Sequence, residues 1–244
     1  MSPISISHKP PEPRWKDLYL IGGIFSLLIA ASVIFAIIAF FIWPFKPGLT
    51  STENIFIALQ TDRLGGLMSL DLPFLAIVSI NFLPLLAIYA ALKQVNESYA
   101  LIALILGLIA GVALLPSRPL AELVFLSDKY AAATSEAEKM KYLAAGESLH
   151  ALFNGTGWMI YTIFSGISTL IFSLLILRSK IFSKLTGYIG IVNAIGGSCI
   201  FIPGIGPLIS LLATLGGVIW SILIARTFFQ LWRQFRLLST YMEA

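Results

Sequence analysis

The sequence predicts an all-α integral membrane bundle of six transmembrane helices. Of its 244 residues, 58% are hydrophobic and only 11% are charged, and the mean hydropathy is +0.91. A water-soluble domain of this length needs more polar surface than that. The apolar residues also fall into runs close to the roughly 20 residues that span a bilayer, and the basic residues flank those runs.

The runs are, in order, Leu18–Pro44, Leu67–Leu92, Ser98–Leu115, Phe153–Leu177, Leu185–Ile202 and Leu208–Leu231. The first is too long for a signal-peptide core and is read as a retained helix, with Trp15 and Trp43 at its ends as interfacial anchors. Residues 1–16, with four prolines, form a flexible tail, the spans fill 17–232, and 233–244 form a second tail. Thr50 and Glu53 have capping-box spacing, which starts a short helix over Glu53–Gln60 that ends near Gly65-Gly66. Pro73 and Pro84 should kink the second span. The five residues 93–97 close a tight hairpin to the third. Residues 117–150 form the one long polar stretch inside the body, an extracytoplasmic helical cap, with Pro119 in a first turn and Arg118 spaced to pair with Glu122. Ser135 and Glu138 form a second capping box. From there a helix without proline runs into the fourth span. Pro203 to Pro207 turn the chain between the last two spans.

Counting Lys and Arg on alternate sides puts ten with the termini and six opposite. Both termini are therefore expected in the cytoplasm. A weak echo between 92–111 and 177–197 suggests two similar hairpins.

Chemistry-bearing residues are few. Read as one helix, 147–168 aligns Glu147, His150, Asn154, Trp158, Tyr161, Ser165 and Ser168 on one stripe. Polar groups at membrane depth face the bundle interior or a wet cavity, so the stripe outlines a polar cleft. It equally suits headgroup contacts and helix–helix hydrogen bonds. Asp71, Asn81 and Tyr89 share a stripe on the second span. Asn81 is expected to hydrogen-bond another helix, and Asn193 shares a face with Gly190 and Gly197. The ligand-binding candidates are thus Glu147, His150, Asn154, Tyr161, Asp71 and Asn81. Glu147-x-x-His150 is half of a di-iron pattern that needs a second copy, and His8 is the only other histidine. No metal, cofactor or catalytic residue is expected, and no nucleic-acid partner, since basic and aromatic residues are not interleaved. Membrane lipids are the expected partners. Gly107-x-x-x-Gly111 and Ala213-x-x-x-Gly217 are small-residue faces that suit internal packing or a homo-oligomer.

The segments Ser127–Thr134, Glu136-Ala137, Leu143–Glu147 and Gly155-Thr156, with Leu92–Asn96 and Leu177–Ser179, resemble an uncharacterised bacterial membrane-protein family, a domain-of-unknown-function family of about six helices. The resemblance implies a multi-span inner-membrane fold and supplies no activity. It implies a glutamate at Glu147 but no histidine at His150. The reading that follows is a non-enzymatic protein binding a lipid, small ligand or partner in an outward-facing cleft. The alternative is a subunit of a small transporter or channel, and a third is an intramembrane enzyme using Glu147 and His150.

Overall fold

A computed structural model describes residues 11–42 and 50–243, without the side chains of Phe40 and of residues 238–243. Trp43, Pro44 and Lys46 of the sequence reading lie outside the described residues, as do His8 and Lys9. The described residues contain helices, turns and no strand. Among the described residues eleven α-helices follow one another: α1 (Lys16–Ile42), α2 (Thr52–Thr61), α3 (Arg63–Ser69), α4 (Leu72–Ile80), α5 (Phe82–Leu92), α6 (Glu97–Leu114), α7 (Leu120–Ala132), α8 (Glu136–Ala151), α9 (Thr156–Arg178), α10 (Lys184–Ser198) and α11 (Gly206–Glu243).

Among the described residues, five stretches are long and apolar enough to cross a membrane: Pro13–Ala39, Leu72–Leu92, Glu97–Ala132, Glu136–Arg178 and Gly206–Leu237. The fifth run expected from the sequence is the short α10, of 15 residues. The second span begins at Leu72 rather than Leu67, because the chain breaks at Leu70 and Asp71.

Local chemistry explains the boundaries, and several differ from the sequence expectation. Ser51, not Thr50, caps α2 by accepting from the Asn54 amide at 3.3 Å. Asp62, not the glycine pair, separates α2 from α3 and caps α3 through the Gly65 amide at 2.9 Å. Gly65 and Gly66 lie inside α3, where a Cβ on Gly66 would meet Leu59 at 2.8 Å. Ser135 caps α8 as expected, accepting from the Glu138 amide at 3.2 Å, while the Glu138 carboxylate accepts from Thr134. Pro119 sits just before α7 rather than in its first turn. Two differences concern the tails. Residue 12 is tied to the loop between α5 and α6, and α11 runs as helix through residue 243.

The chain divides into two compact units: residues 1–31, 80–111 and 162–244, and residues 32–79 and 112–161. The first is cored by Tyr19, Ile88, Leu92, Phe172, Ile176 and Phe228. Tyr19 stacks on Phe228 (5.9 Å) and Phe235 (6.1 Å), which joins α1 to α11. Small residues let these helices close on one another. A Cβ on Gly107 would meet Leu85 and Ser168 at 2.9 Å, one on Gly196 would meet Ala213 at 2.7 Å, and one on Gly217 would meet Asn193 at 3.3 Å. Gly107, Ala213 and Gly217 are thus packed within the chain. Gly190 and Asn193 both meet α11, through Trp220 and Gly217, and Gly190 also meets Ser173 of α9, while Gly197 faces open space.

Ser168 donates to the Ala103 carbonyl at 2.7 Å, from α9 to α6. Such bonds in membrane bundles are worth about 0.6 kcal/mol on average. Ser168→Ala is accordingly expected to lower stability by about 0.5–1 kcal/mol in a denaturing-detergent titration, a small effect because Ala103 keeps its place in its own helix.

Just before α1, Glu12 pairs with Lys93 at 3.0 Å, contacts Arg14 and accepts from Gln94 at 2.7 Å. The Lys93 hydrogen bond, with the charges of Lys93 and Arg14, holds the Glu12 carboxyl below its ordinary range despite some desolvation. A carboxyl depressed on folding contributes stability above its unfolded pKa and loses it as pH falls through the folded one. Acidification below the ordinary carboxylate range is therefore expected to release residues 12–15. Trp15 fluorescence, isolated by replacing the other tryptophans, should shift over that interval and stay flat in Glu12→Gln.

The second unit is cored by Ile55, Phe56, Leu59, Leu70, Leu120, Leu123 and Phe153. Helix α2 packs on α7 and α8. Ser127 donates to the Phe56 carbonyl at 2.9 Å, Gln60 donates to Ser127 (2.9 Å) and Asp128 (2.8 Å), and Tyr130 donates to Glu53 at 2.9 Å.

Candidate functional site

The densest chemistry in the second unit surrounds Arg118. Its residue is 5% exposed, too buried for an ionised group without partners. Nε donates to Asp71 Oδ2 at 3.1 Å; Nη1 donates to the carbonyls of Phe153 (3.1 Å) and Ser117 (3.2 Å) and to the Ser117 hydroxyl (3.4 Å). Three aromatic rings wall the guanidinium: Phe153 at 4.9 Å, Trp158 at 5.1 Å and Phe74 at 6.0 Å. Each ring face attracts a cation, more strongly when water is excluded. Arg118 therefore pairs with Asp71, not with Glu122 as its spacing suggested.

Local folding explains how these groups meet. Pro116 and Pro119 leave no room for a continuous helix, so a 3-10 turn at Leu115–Ser117 ends α6 and Arg118 stands between helices in non-helical backbone. Asp71 occupies the break before α4 at φ +68°, a left-handed conformation that Asp tolerates better than most residues. Its side chain is 34% exposed against 3% for Arg118. Carboxylate oxygen Oδ1 has no hydrogen-bond partner among the described residues, and neither does the Tyr161 hydroxyl. Tyr161 packs edge-on against Phe74 (5.5 Å) and stacks on Trp158 (5.8 Å).

The single stripe expected over 147–168 is interrupted. Leu152–Asn154 form a 3-10 turn and Gly155 is extended, at φ −84° and ψ −164°, so α8 and α9 are separate helices and the register is reset between them. Glu147 and Asn154 are exposed. His150 Nδ1 lies 3.2 Å from the Thr52 hydroxyl, and its ring meets Phe153 edge-on at 5.9 Å. Ser165 bonds its own helix at Thr162. Asn81 lies at the break between α4 and α5 without a capping bond, and it makes no hydrogen bond to another helix among the described residues. Of the six candidates, Asp71 and Tyr161 are brought to one centre; Arg118, Phe74 and Phe153 join them. No group of three His, Cys, Asp or Glu side chains with metal-holding geometry occurs among the described residues.

One signal in the sequence pointed to this centre. Asp71 lies between Leu70 and Leu72, and Arg118 is the one charge between Glu97 and Glu122. Opposite charges isolated in apolar surroundings are expected to find each other.

The model of a family described as a domain of unknown function (DUF4386) matches residues 21–238. The chain belongs to that family. The match takes in the whole Arg118 centre and most of every helix from α1 to α11. No curated protein and no solved structure matches the chain.

Proposed function

We propose that this family member is a non-enzymatic integral membrane protein that binds a small ligand or lipid headgroup at the Asp71–Tyr161 mouth of the Arg118 centre. One observation carries the reading: Arg118 engages one oxygen of Asp71, leaving Oδ1 and the Tyr161 hydroxyl unpartnered beside an aromatic wall. That arrangement suits a ligand presenting a hydroxyl or ammonium donor with an apolar body, since donors pair with the free oxygens and the body covers the rings. Native mass spectrometry of gently solubilised protein tests it. A discrete extra mass is expected on wild type and on Glu147→Gln, and is expected to be lost from Tyr161→Phe, which keeps the ring packing. A set of bound masses identical in wild type and Tyr161→Phe, or no bound mass on wild type, would overturn the reading.

In this proposal α10 with the turn Cys199–Phe201 is a sixth span. Together they reach about 28 Å, close to the roughly 30 Å hydrocarbon core. Both termini then lie in the cytoplasm of the plasma membrane, with α7 and α8 as the extracytoplasmic cap. In a Cys199→Ser background, a cysteine at Lys139 should react with an impermeant maleimide on intact cells and one at Lys180 should not. The opposite pattern would reverse the topology.

The interruption of the second span at Asn81 favours a second reading, a subunit of a small transporter or channel, because broken helices line ion and substrate sites in carriers. Proteoliposome flux that disappears in Asn81→Leu would support it.

A further inference from the structure

Helices α1 and α11 leave an open groove of about 380 Å³ in the first unit. Leu27, Ile222 and Phe229 line its apolar part, and Arg226, Gln230 and Arg233 line its polar part. Leu27 is 42% and Ile222 44% exposed. Residues 222, 226, 229 and 233 follow helical spacing, so one face of α11 presents Ile222, Arg226, Phe229 and Arg233 in turn, apolar and cationic side chains alternating along its axis. Arg226 and Arg233 are exposed, and neither has an ion pair or hydrogen bond among the described residues.

We infer that this groove binds an anionic glycerophospholipid, its acyl chain along Leu27 and Ile222 and its phosphate between Arg226 and Arg233 beside Gln230. The two arginines stand seven residues apart, about 10 Å along the axis. Long guanidinium side chains can converge on one phosphodiester from that spacing, and each fork offers two parallel donors to its oxygens. Gln230 adds a neutral amide donor between them. A soluble phosphate would use the cations but leave the apolar part of the groove empty. A zwitterionic lipid would bring an ammonium next to two cations. The combination of hydrocarbon wall and paired positive charge therefore selects a lipid with net negative charge.

The test is native mass spectrometry of the full chain ejected from nanodiscs holding equal phosphatidylglycerol and phosphatidylcholine. Wild type should retain phosphatidylglycerol about ten-fold over phosphatidylcholine, as two interfacial cations allow. The double variant Arg226→Gln/Arg233→Gln should lose that preference with helical content and thermal midpoint unchanged, because neither side chain holds another part of the chain. Lys139→Gln/Lys141→Gln, which removes the same charge elsewhere, should keep it. Leu27→Trp should reduce retention of both lipids by filling the apolar part. Equal retention of the two lipids by wild type, or an unchanged preference in the arginine double variant, would overturn the inference. Displacement of the phosphatidylglycerol adduct by millimolar inorganic phosphate would overturn the lipid and reassign the site to a soluble anion.

Discussion

Replacing Arg118 with leucine is expected to lower stability by about 3 kcal/mol. Breaking a buried ion pair from one side costs roughly 3–5 kcal/mol, because the abandoned charge stays behind. The low end applies because Asp71 is one third exposed and regains some water. The same substitution strips donors from the Phe153 and Ser117 carbonyls and empties the space between three rings. Asp71→Asn should be milder, since its amide oxygen can still accept from Nε and asparagine tolerates the left-handed backbone at this position. The double variant Arg118→Leu/Asp71→Asn should recover much of the loss of Arg118→Leu, because neither charge remains. Denaturing-detergent titrations of the three proteins measure this cycle. Additive losses would mean that the two charges are not coupled, and the centre would then be a set of separate contacts.

Gly157→Ala is expected to cost about 1–2 kcal/mol, and Gly157→Val about 3. A Cβ here would lie 2.5 Å from the Ala113 carbonyl oxygen and 2.9 Å from Ser117 Cβ. The first is backbone, so no side-chain rotation relieves the clash, and overpacking of this kind costs roughly 1–3 kcal/mol. Glycine to alanine within a helix returns close to 1 kcal/mol in propensity, which leaves a net loss for alanine and a larger one for the branched valine. Gly197→Ala provides the opposite sign. A Cβ there meets nothing within 4 Å, so propensity alone acts and stability should rise by up to about 1 kcal/mol. Thermal midpoints of the three variants side by side would check the ordering; a loss at Gly197 equal to that at Gly157 would refute the packing argument.

These two sites differ in how far the sequence announced them. Gly155-Thr156 was part of a recognisable family segment, but nothing in it marked Gly157 as the point where α9 meets the end of α6. The expected polar stripe failed for a related reason. With no proline between Glu147 and Ser168 the helical period carries through in sequence, yet Gly155 ends the register without one. The sequence puts Asp71 on a stripe with Asn81 and Tyr89 and pairs Arg118 with Glu122, since spacing along one helix is visible in sequence and the 47-residue separation of Arg118 from Asp71 is not. Capping was more legible. Ser135 does cap α8, and the start of α2 was missed by one residue, because caps depend on neighbours three residues away.

What the sequence determined by itself is the solvent and the class of secondary structure. A chain with this much hydrocarbon cannot face water, and in lipid an unclosed backbone satisfies its own polar groups only as helix. The tertiary structure alone decided which polar groups meet. Pairing energy rises as two charges approach and as the dielectric around them falls, and the distance between Asp71 and Arg118 is set by where two helix breaks come to rest, which depends on packing across the second unit rather than on residues adjacent in the chain.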